Sequence, residues 1–182
     1  MTDPEHLGAF LDEAWMRLAR GVTNRRSPSR HPTFVTVSPE GWPEARTVVL
    51  RGADRGAARL EVHTDLATAK VAALRANPRA ALHIWEPRAD LQIRAALRVE
   101  IVPQAEGRWD RIPEASRAAY GTIPAPGTEI ASAFDYEKPV DSVRFAALIC
   151  TVEMFDLVHL GPRHRRARFA AADGWQGQWL AP

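Results

Sequence analysis

The sequence predicts a mainly β (α+β) fold, an antiparallel barrel of six or seven strands with a few peripheral helices. Three observations carry this. Residues 90–102 place Leu91, Ile93, Ala95, Leu97, Val99 and Ile101 in alternation with Gln92, Arg94, Ala96, Arg98 and Glu100, the period of a strand with one buried face. Residues 143–160 form a long run apolar enough for a central strand. Too few helical stretches separate the strands for the crossovers that a parallel sheet requires.

The first element is a helix over residues 1–21. Asp3 can cap it, Pro4 suits its first turn, and Leu7, Phe10, Leu11, Ala14, Trp15 and Leu18 recur on one face. A polar loop with two prolines, residues 23–32, leads to a hairpin of residues 33–38 and 44–51 around Pro39-Glu40-Gly41. A third strand follows over 58–64, then a short helix over 65–76 and a strand over 79–86. Residues 103–141 are rich in Pro, Gly and Ala and read as a less regular insert, with helical turns near 107–112 and 113–120. The run 143–160 is expected to bend near Phe155-Asp156, and Asp173-Gly174 joins the last two strands, 166–170 and 175–180. At 182 residues the chain reads as one domain.

Composition excludes several classes of function. No apolar run reaches the roughly 18 residues of a membrane helix, and the polar start lacks the order of a signal peptide, so a cytoplasmic protein without a membrane partner is expected. A single cysteine, Cys150, excludes an internal disulfide framework and a multi-thiolate metal site; within Phe145-Ala146-Ala147-Leu148-Ile149-Cys150 it reads as a buried structural thiol, and no metal is expected. The net charge of +2 is too balanced to argue for a nucleic-acid partner on its own, and none is expected; a basic RNA- or DNA-binding barrel is a third alternative whose one support is the densely basic Arg163-His164-Arg165-Arg166-Ala167-Arg168. Of 24 basic residues only Lys70 and Lys138 are lysine, which makes each of them informative.

Four places carry candidate chemistry. In Arg46-Thr47-Val48-Val49-Leu50-Arg51 the arginines fall on opposite faces of an ideal strand unless a bulge intervenes, so they serve two ends of an extended ligand or are solvated edge residues. The junction His63-Thr64-Asp65-Leu66-Ala67-Thr68-Ala69-Lys70 runs from a strand into a helix start. It offers backbone N–H groups, two hydroxyls and an ammonium, which suit a phosphate; helix capping by Thr64 or Asp65 is the alternative. Gln92 and Arg94 share a polar strand face, and an amide can read the donor and acceptor edge of a ring. The basic segment around Arg166 lies between an apolar strand and the aromatic end Trp175 to Trp179, a position that favours a folded anion site. No Ser/His/Asp constellation is present.

Taken in order, these segments resemble the pyridoxamine 5′-phosphate oxidase family of FMN-binding split barrels. The resemblance rests on Arg46-Thr47-Val48-Val49-Leu50-Arg51, on His63-Thr64-Asp65 with Thr68 and Lys70, on Asn77-Pro78, on Gln92, and on Trp175 with Trp179-Leu180-Ala181-Pro182. It implies a split barrel forming a homodimer with FMN at the subunit interface. Arg46, His63, Thr64, Thr68 and Lys70 would surround the phosphate and ribityl chain. Thr47, Val48, Val49 and Leu50 would lie along the flavin, with Arg51 near the ring or the substrate. Gln92 would reach the flavin from the other subunit, and Arg166, following His164, would approach the reactive edge, so Arg166, Arg51 and His164 are the expected catalytic residues.

The chain departs from the family pattern at Arg51, where a lysine is usual, at Ala69, where an arginine is usual, and at Pro162-Arg163-His164-Arg165-Arg166, where Arg-Leu-His-Asp-Arg is usual. The Tyr/Arg/Ser set of the middle region is represented only by Arg117 with Tyr120. The implied function is an FMN-dependent oxidoreductase for a small-molecule substrate, with pyridoxamine or pyridoxine 5′-phosphate as substrate and oxygen as acceptor. A flavin or other small-molecule reductase, or a flavin-binding protein without turnover, are the alternatives.

Overall fold

The computed structural model describes residues 6–105 and 107–182. Helix α1 (Leu7–Thr23) opens the described chain, with the His6 side chain accepting from the Ala9 N–H at 3.2 Å as its cap; the expected cap Asp3 and Pro4 lie outside the described residues. Phe10, Leu11, Ala14, Trp15 and Leu18 form its buried stripe, as their spacing requires.

Nine strands follow: β1 (Thr33–Val37), β2 (Pro43–Thr47), β3 (Leu50–Asp54), β4 (Arg59–Asp65), β5 (Arg79–Glu86), β6 (Leu91–Pro103), β7 (Phe145–His159), β8 (Arg165–Ala170) and β9 (Gln178–Leu180). Every pairing is antiparallel, in the order β2-β1-β5-β6-β7-β4-β3, with β8 between β7 and β9. Nine strands rather than six or seven arise in part because the segment expected as one strand, 44–51, breaks at Val48-Val49 into β2 and β3. There the Val48 N–H makes the last bond of the β1–β2 register, to the Pro32 carbonyl at 3.0 Å, and from Leu50 the chain pairs with β4 instead.

The barrel splits along β7. One edge of β7 pairs with β6, while its other edge pairs with β4 through residues 145–151 and with β8 through residues 154–159. Between these halves the β6–β7 register shifts, with Ala96 opposite Met154 and Leu97 opposite Val152. Glu153 is therefore the bulged residue, and the irregularity falls slightly before the Phe155-Asp156 expected from sequence.

The main core lies between α1 and the sheet, where Leu18, Phe34, Leu50, Leu82, Ile93, Phe155 and Phe169 are nearly or wholly buried and Trp15 packs edge-on against Phe155. A second cluster of Ala105, Ile112, Tyr120, Phe145 and Ala147 forms where the less regular segment, including helix α3 (Glu114–Arg117), folds back over the β4–β7 region. Cys150 is fully buried, and burial pushes its thiol up to about 12, so it packs as a structural residue. Among the described residues no helix is long and apolar enough to cross a membrane.

Candidate functional site

Four of the expected site residues meet where β4 hands over to helix α2 (Ala69–Ala76). This helix begins later than the expected residue 65, because Asp65 still pairs with Phe145 and residues 66–68 turn away from the sheet. The Thr68 hydroxyl donates to the Asp65 carbonyl at 2.8 Å and lies 3.2 Å from the Thr64 hydroxyl; Lys70 Nζ donates to Thr64 Oγ1 at 3.1 Å. Thr68 occupies the N-cap position of α2 without a side-chain capping bond, so neither Thr64 nor Asp65 is the cap residue of this helix.

Asp65 does have a structural role. Its carboxylate accepts from the Ala67 N–H at 2.8 Å, from the Gly121 N–H at 2.9 Å and from Arg144 Nε at 2.9 Å, with Arg144 Nη2 2.8 Å away as an ion pair, which fixes the turn against the less regular segment.

Arg46 approaches the same corner from β2. Its guanidinium donates to Thr36 Oγ1 at 2.7 Å, to the Glu44 carbonyl at 2.8 Å and to the Glu44 carboxylate at 2.7 Å, which fixes its orientation. Burial, and then the charge of Arg46, holds the Lys70 ammonium below the ordinary lysine range, with Asp65 opposing the shift. Two cations that raise each other's energy lie here beside two hydroxyls and a helix start, donors of the kind that suit an anion.

The break after β2 sends Arg51 elsewhere. Leu50 and Val48 point into the main core and Val49 is half-buried, so Val48 and Leu50 offer a ligand only their backbone; Thr47 is exposed at the end of β2. Arg51 lines a cavity of about 680 Å³ together with His63, Glu61, Arg30, Arg108 and Arg111. His63 leaves the phosphate corner because it alternates with Thr64 along β4. Its Nε2 lies 2.8 Å from Glu61 Oε1, its ring packs edge-on against Phe145, and its buried Nδ1 has no partner.

Gln92 and Arg166 form a third group. Gln92 pairs with Val158 and Val158 with Arg166, which places them in one row across β6, β7 and β8, with His83 3.4 Å from the Gln92 carbonyl oxygen. Arg166 donates to both oxygens of Asp156, and Arg94 donates to the same carboxylate. His164 is exposed and, with His159, Arg163, Arg166 and Trp179, lines an open cavity of about 720 Å³.

Arg46 is opposite Phe34, Phe34 opposite Leu82, and Leu82 opposite the core residue Ala95. Gln92, an odd number of residues from Ala95 along the same strand, therefore faces the other way. The Lys70 corner and the Gln92–Arg166 row thus use opposite faces of the sheet within one chain. Asp156, Arg30, Arg108 and Arg111 were not singled out from sequence. Only the polar face shared by Gln92 and Arg94 pointed toward Asp156, and Arg108 and Arg111 lie in the segment with the weakest periodicity.

Comparison with known proteins gives a consistent picture. Residues 12–103 match the family model described as pyridoxamine 5′-phosphate oxidase, FMN-binding domain. A pyridoxine/pyridoxamine 5′-phosphate oxidase from Microcystis aeruginosa is 39% identical over 90 residues, which span 49% of this chain and 41% of that relative. The fold is shared with a pyridoxamine 5′-phosphate oxidase-related, FMN-binding protein from Nostoc punctiforme, at a TM-score of 0.74 and 23% identity over 94% of this chain and 96% of that one. It is shared also with PhzG from Burkholderia lata, solved in complex with tetrahydrophenazine-1-carboxylic acid, at a TM-score of 0.71 and 14% identity over 99% of this chain and 95% of that one. The segment matched by the family model contains Arg46, Arg51, Thr64, Lys70 and Gln92 and ends before Arg108, Arg111 and Arg166.

Proposed function

Because the chain belongs to the pyridoxamine 5′-phosphate oxidase FMN-binding family, we propose that it is an FMN-dependent oxidoreductase acting on a small molecule, with the FMN phosphate held at the Lys70 corner. The observation that carries this reading is the contact of Lys70 with Thr64, beside Thr68 and with Arg46 close enough to depress the ammonium. A phosphate there would replace mutual repulsion with charge-assisted hydrogen bonds. The residues present therefore fit the group that the family binds.

In this reading Lys70, Arg46, Thr64 and Thr68 bind the phosphate, the backbone of Val48 and Val49 borders the ring, and Arg51 approaches from the adjoining cavity. Bound there, FMN would supply the ring that accepts or gives a hydride. Gln92 of the partner subunit and Arg166 of the partner subunit complete the site in a homodimer. This assignment is supported by their position on the sheet face opposite the phosphate corner, from which they can serve a neighbouring copy but not their own. Arg166 then stabilises negative charge at the reacting edge, with His164 at the rim.

Vitamin B6 phosphates are not required as substrates by this reading, and one observation favours a reductase or a different oxidised substrate. The residues that stand in for the family's middle substrate-binding set are occupied structurally. Arg117 donates to the Ile112 carbonyl at 3.1 Å and stacks over Trp109, while the Tyr120 ring is buried against Phe145.

The test is the absorption spectrum of the protein as isolated and after incubation with FMN, followed by anaerobic addition of pyridoxamine 5′-phosphate or of a reduced nicotinamide. Flavin absorbance is expected, with bleaching by one of the two donors. A colourless protein that takes up no FMN overturns the reading. Bleaching by pyridoxamine 5′-phosphate, with peroxide formed when oxygen is admitted, would identify the oxidase form.

A further inference from the structure

Residues 121–143 form an arm whose two legs are tied to each other. The Ile123 N–H donates to the Glu137 carbonyl at 3.0 Å, the Glu137 N–H donates back to the Ile123 carbonyl at 2.8 Å, and the Asp141 N–H donates to the Tyr120 carbonyl at 3.1 Å. The Thr128 and Asp135 N–H groups close further turns onto the Ala125 and Ser132 carbonyls. The base is tight as well, since a Cβ on Gly121 would lie 2.4 Å from the Pro139 carbonyl oxygen.

Backbone bonds fix the arm, yet its side chains are left uncovered among the described residues. Residues 127–140 are exposed without interruption, and Phe134 (87% exposed), Val140 (57%) and Val143 (60%) stand in water together with Ile130 and part of the Tyr136 ring. Single exposed apolar residues are ordinary. Five large ones within fourteen residues of a hydrogen-bonded arm mark a surface that another molecule covers.

Charge identifies the kind of surface that fits. The arm holds Glu129, Asp135, Glu137 and Asp141 against one lysine, Lys138, whose ammonium lies 5.4 Å from the centre of the Tyr136 ring. An acidic, apolar arm is repelled by nucleic acid and by anionic lipid, and it suits a basic surface with an apolar floor. The chain itself presents such a surface. Arg163, His164 and Arg165 meet Trp179 and Leu180 around the open cavity of about 720 Å³, and no carboxylate among the described residues lines it, although Asp156 answers Arg166 from the neighbouring strand.

Two copies bring these surfaces together. The arm rises from the Asp65 turn, where the Gly121 N–H and Arg144 Nε both donate to the Asp65 carboxylate at 2.9 Å, and that turn borders the Lys70 corner through Thr64 and Thr68. Under the flavin reading, on which this step rests, the partner's Arg166 reaches that corner and carries the rest of the partner's basic segment alongside the arm. We infer that residues 121–143 are a clasp for a second copy of this chain: Phe134 packs on the apolar floor of the partner's basic cavity, and Glu129, Asp135 and Glu137 face its arginines. Each flavin site is then bordered by the arm of one chain and the basic segment of the other.

The test is sedimentation velocity of the full chain over a concentration series, with FMN content measured on the same samples. The parent is expected to dimerise, with an affinity that falls as salt is raised. Phe134→Ser should weaken the dimer at least about tenfold, as loss of an aromatic anchor at an interface implies. Reversing two acids together, Asp135→Lys with Glu137→Lys, should weaken it by a similar factor and flatten the salt dependence. Arg163→Glu should weaken the parent dimer but restore part of the affinity of the acid-reversed chain. These four side chains are exposed in the single chain, so the far-ultraviolet circular dichroism of each variant should match the parent.

Proximity is read by disulfide cross-linking, because the native Cys150 is fully buried. A chain carrying Phe134→Cys, mixed and oxidised with a chain carrying Arg163→Cys, should give the mixed dimer, whereas Met16→Cys on the exposed side of α1 should not cross-link to either. A dimeric parent that holds FMN but is indifferent to Phe134→Ser and to the acid reversals overturns the inference and leaves the flavin reading standing. Cross-linking of Phe134→Cys chains to one another in place of the mixed pair overturns it too, since arm would then meet arm. A parent that binds FMN as a monomer removes the clasp and the two-copy site together. A parent without FMN whose dimer is still weakened by Phe134→Ser keeps the clasp and removes the flavin reading.

Discussion

Arg166 grips Asp156 at two points, Nε to Oδ1 at 3.0 Å and Nη2 to Oδ2 at 2.8 Å, and Arg94 closes on the same carboxylate from the opposite strand. Asp156 is almost fully buried under this pair, although both arginines remain partly exposed. Burial pushes its carboxyl up, but the hydrogen bonds from Arg166 and Arg94 outweigh that and hold it below the ordinary aspartate range. The carboxylate therefore fixes the orientation of the arginine proposed to face the flavin of a neighbouring copy.

An aspartate whose folded pKa is depressed stabilises the fold fully above its unfolded pKa and loses that contribution as pH falls through the folded value. Asp156→Asn should accordingly melt at a lower temperature than the parent near neutrality, and the gap should close as melts are repeated toward pH 3. If the asparagine variant also binds FMN normally but turns over more slowly, Asp156 acts as a positioning residue for Arg166. A gap that persists unchanged into acid would show that the carboxylate contributes by shape rather than charge.

Lys70→Ala should reduce FMN affinity by roughly 10- to 100-fold, the range for losing one charge-assisted hydrogen bond to a phosphate. Lys138→Ala should not, because that ammonium sits over the exposed Tyr136 ring in the 121–141 region. The comparison is made by fluorescence titration of released flavin. Because Lys70 titrates below the ordinary lysine range, parent affinity should begin to fall as pH rises before an ordinary lysine would lose its proton, and Lys70→Ala should remove that part of the pH dependence.

Sequence made the repeating elements legible because burial imposes period. The alternation of Leu91, Ile93, Ala95, Leu97 and Val99 placed β6, and Leu7 to Leu18 placed the buried stripe of α1. The Thr64–Lys70 corner was also readable, since its hydroxyls and ammonium lie within a few residues of one another. Long-range geometry was not. The strand breaks after the in-register bond from Val48 to Pro32 because from Leu50 the chain takes β4 as its partner, a distant pairing that no local pattern encodes. Likewise Asp65 meets Arg144 and Gly121 only because the less regular segment folds back over β4, and no local pattern encodes that return.

Asp65→Asn tests how strongly that return is held. The carboxylate is nearly inaccessible and gathers the Ala67 and Gly121 N–H groups together with Arg144. Removing its charge leaves the buried end of a salt bridge unmatched, and because Arg144 retains some solvent access the cost is discounted to about 2 kcal/mol. Chemical denaturation should report that loss. Limited proteolysis should cut residues 121–141 sooner than in the parent, and equal protection would mean that the second core alone holds the segment.

Gly21→Ala tests the joint between α1 and the loop that precedes β1. In an exposed helix the substitution would stabilise by about 1 kcal/mol through propensity alone. Here an added Cβ would lie 2.6 Å from the Ser29 carbonyl oxygen, a backbone atom with little freedom to retreat. Ser29 cannot move independently, because both its N–H and its hydroxyl donate to the buried Glu86 carboxylate, which also accepts from Arg17 at 3.2 Å. Overpacking typically costs about 1–3 kcal/mol, so it outweighs the propensity gain and the net effect should be destabilising. Equilibrium denaturation of Gly21→Ala should show a lower midpoint than the parent with an unchanged denaturant slope. A raised midpoint would mean that the loop carrying Ser29 yields without disturbing Glu86.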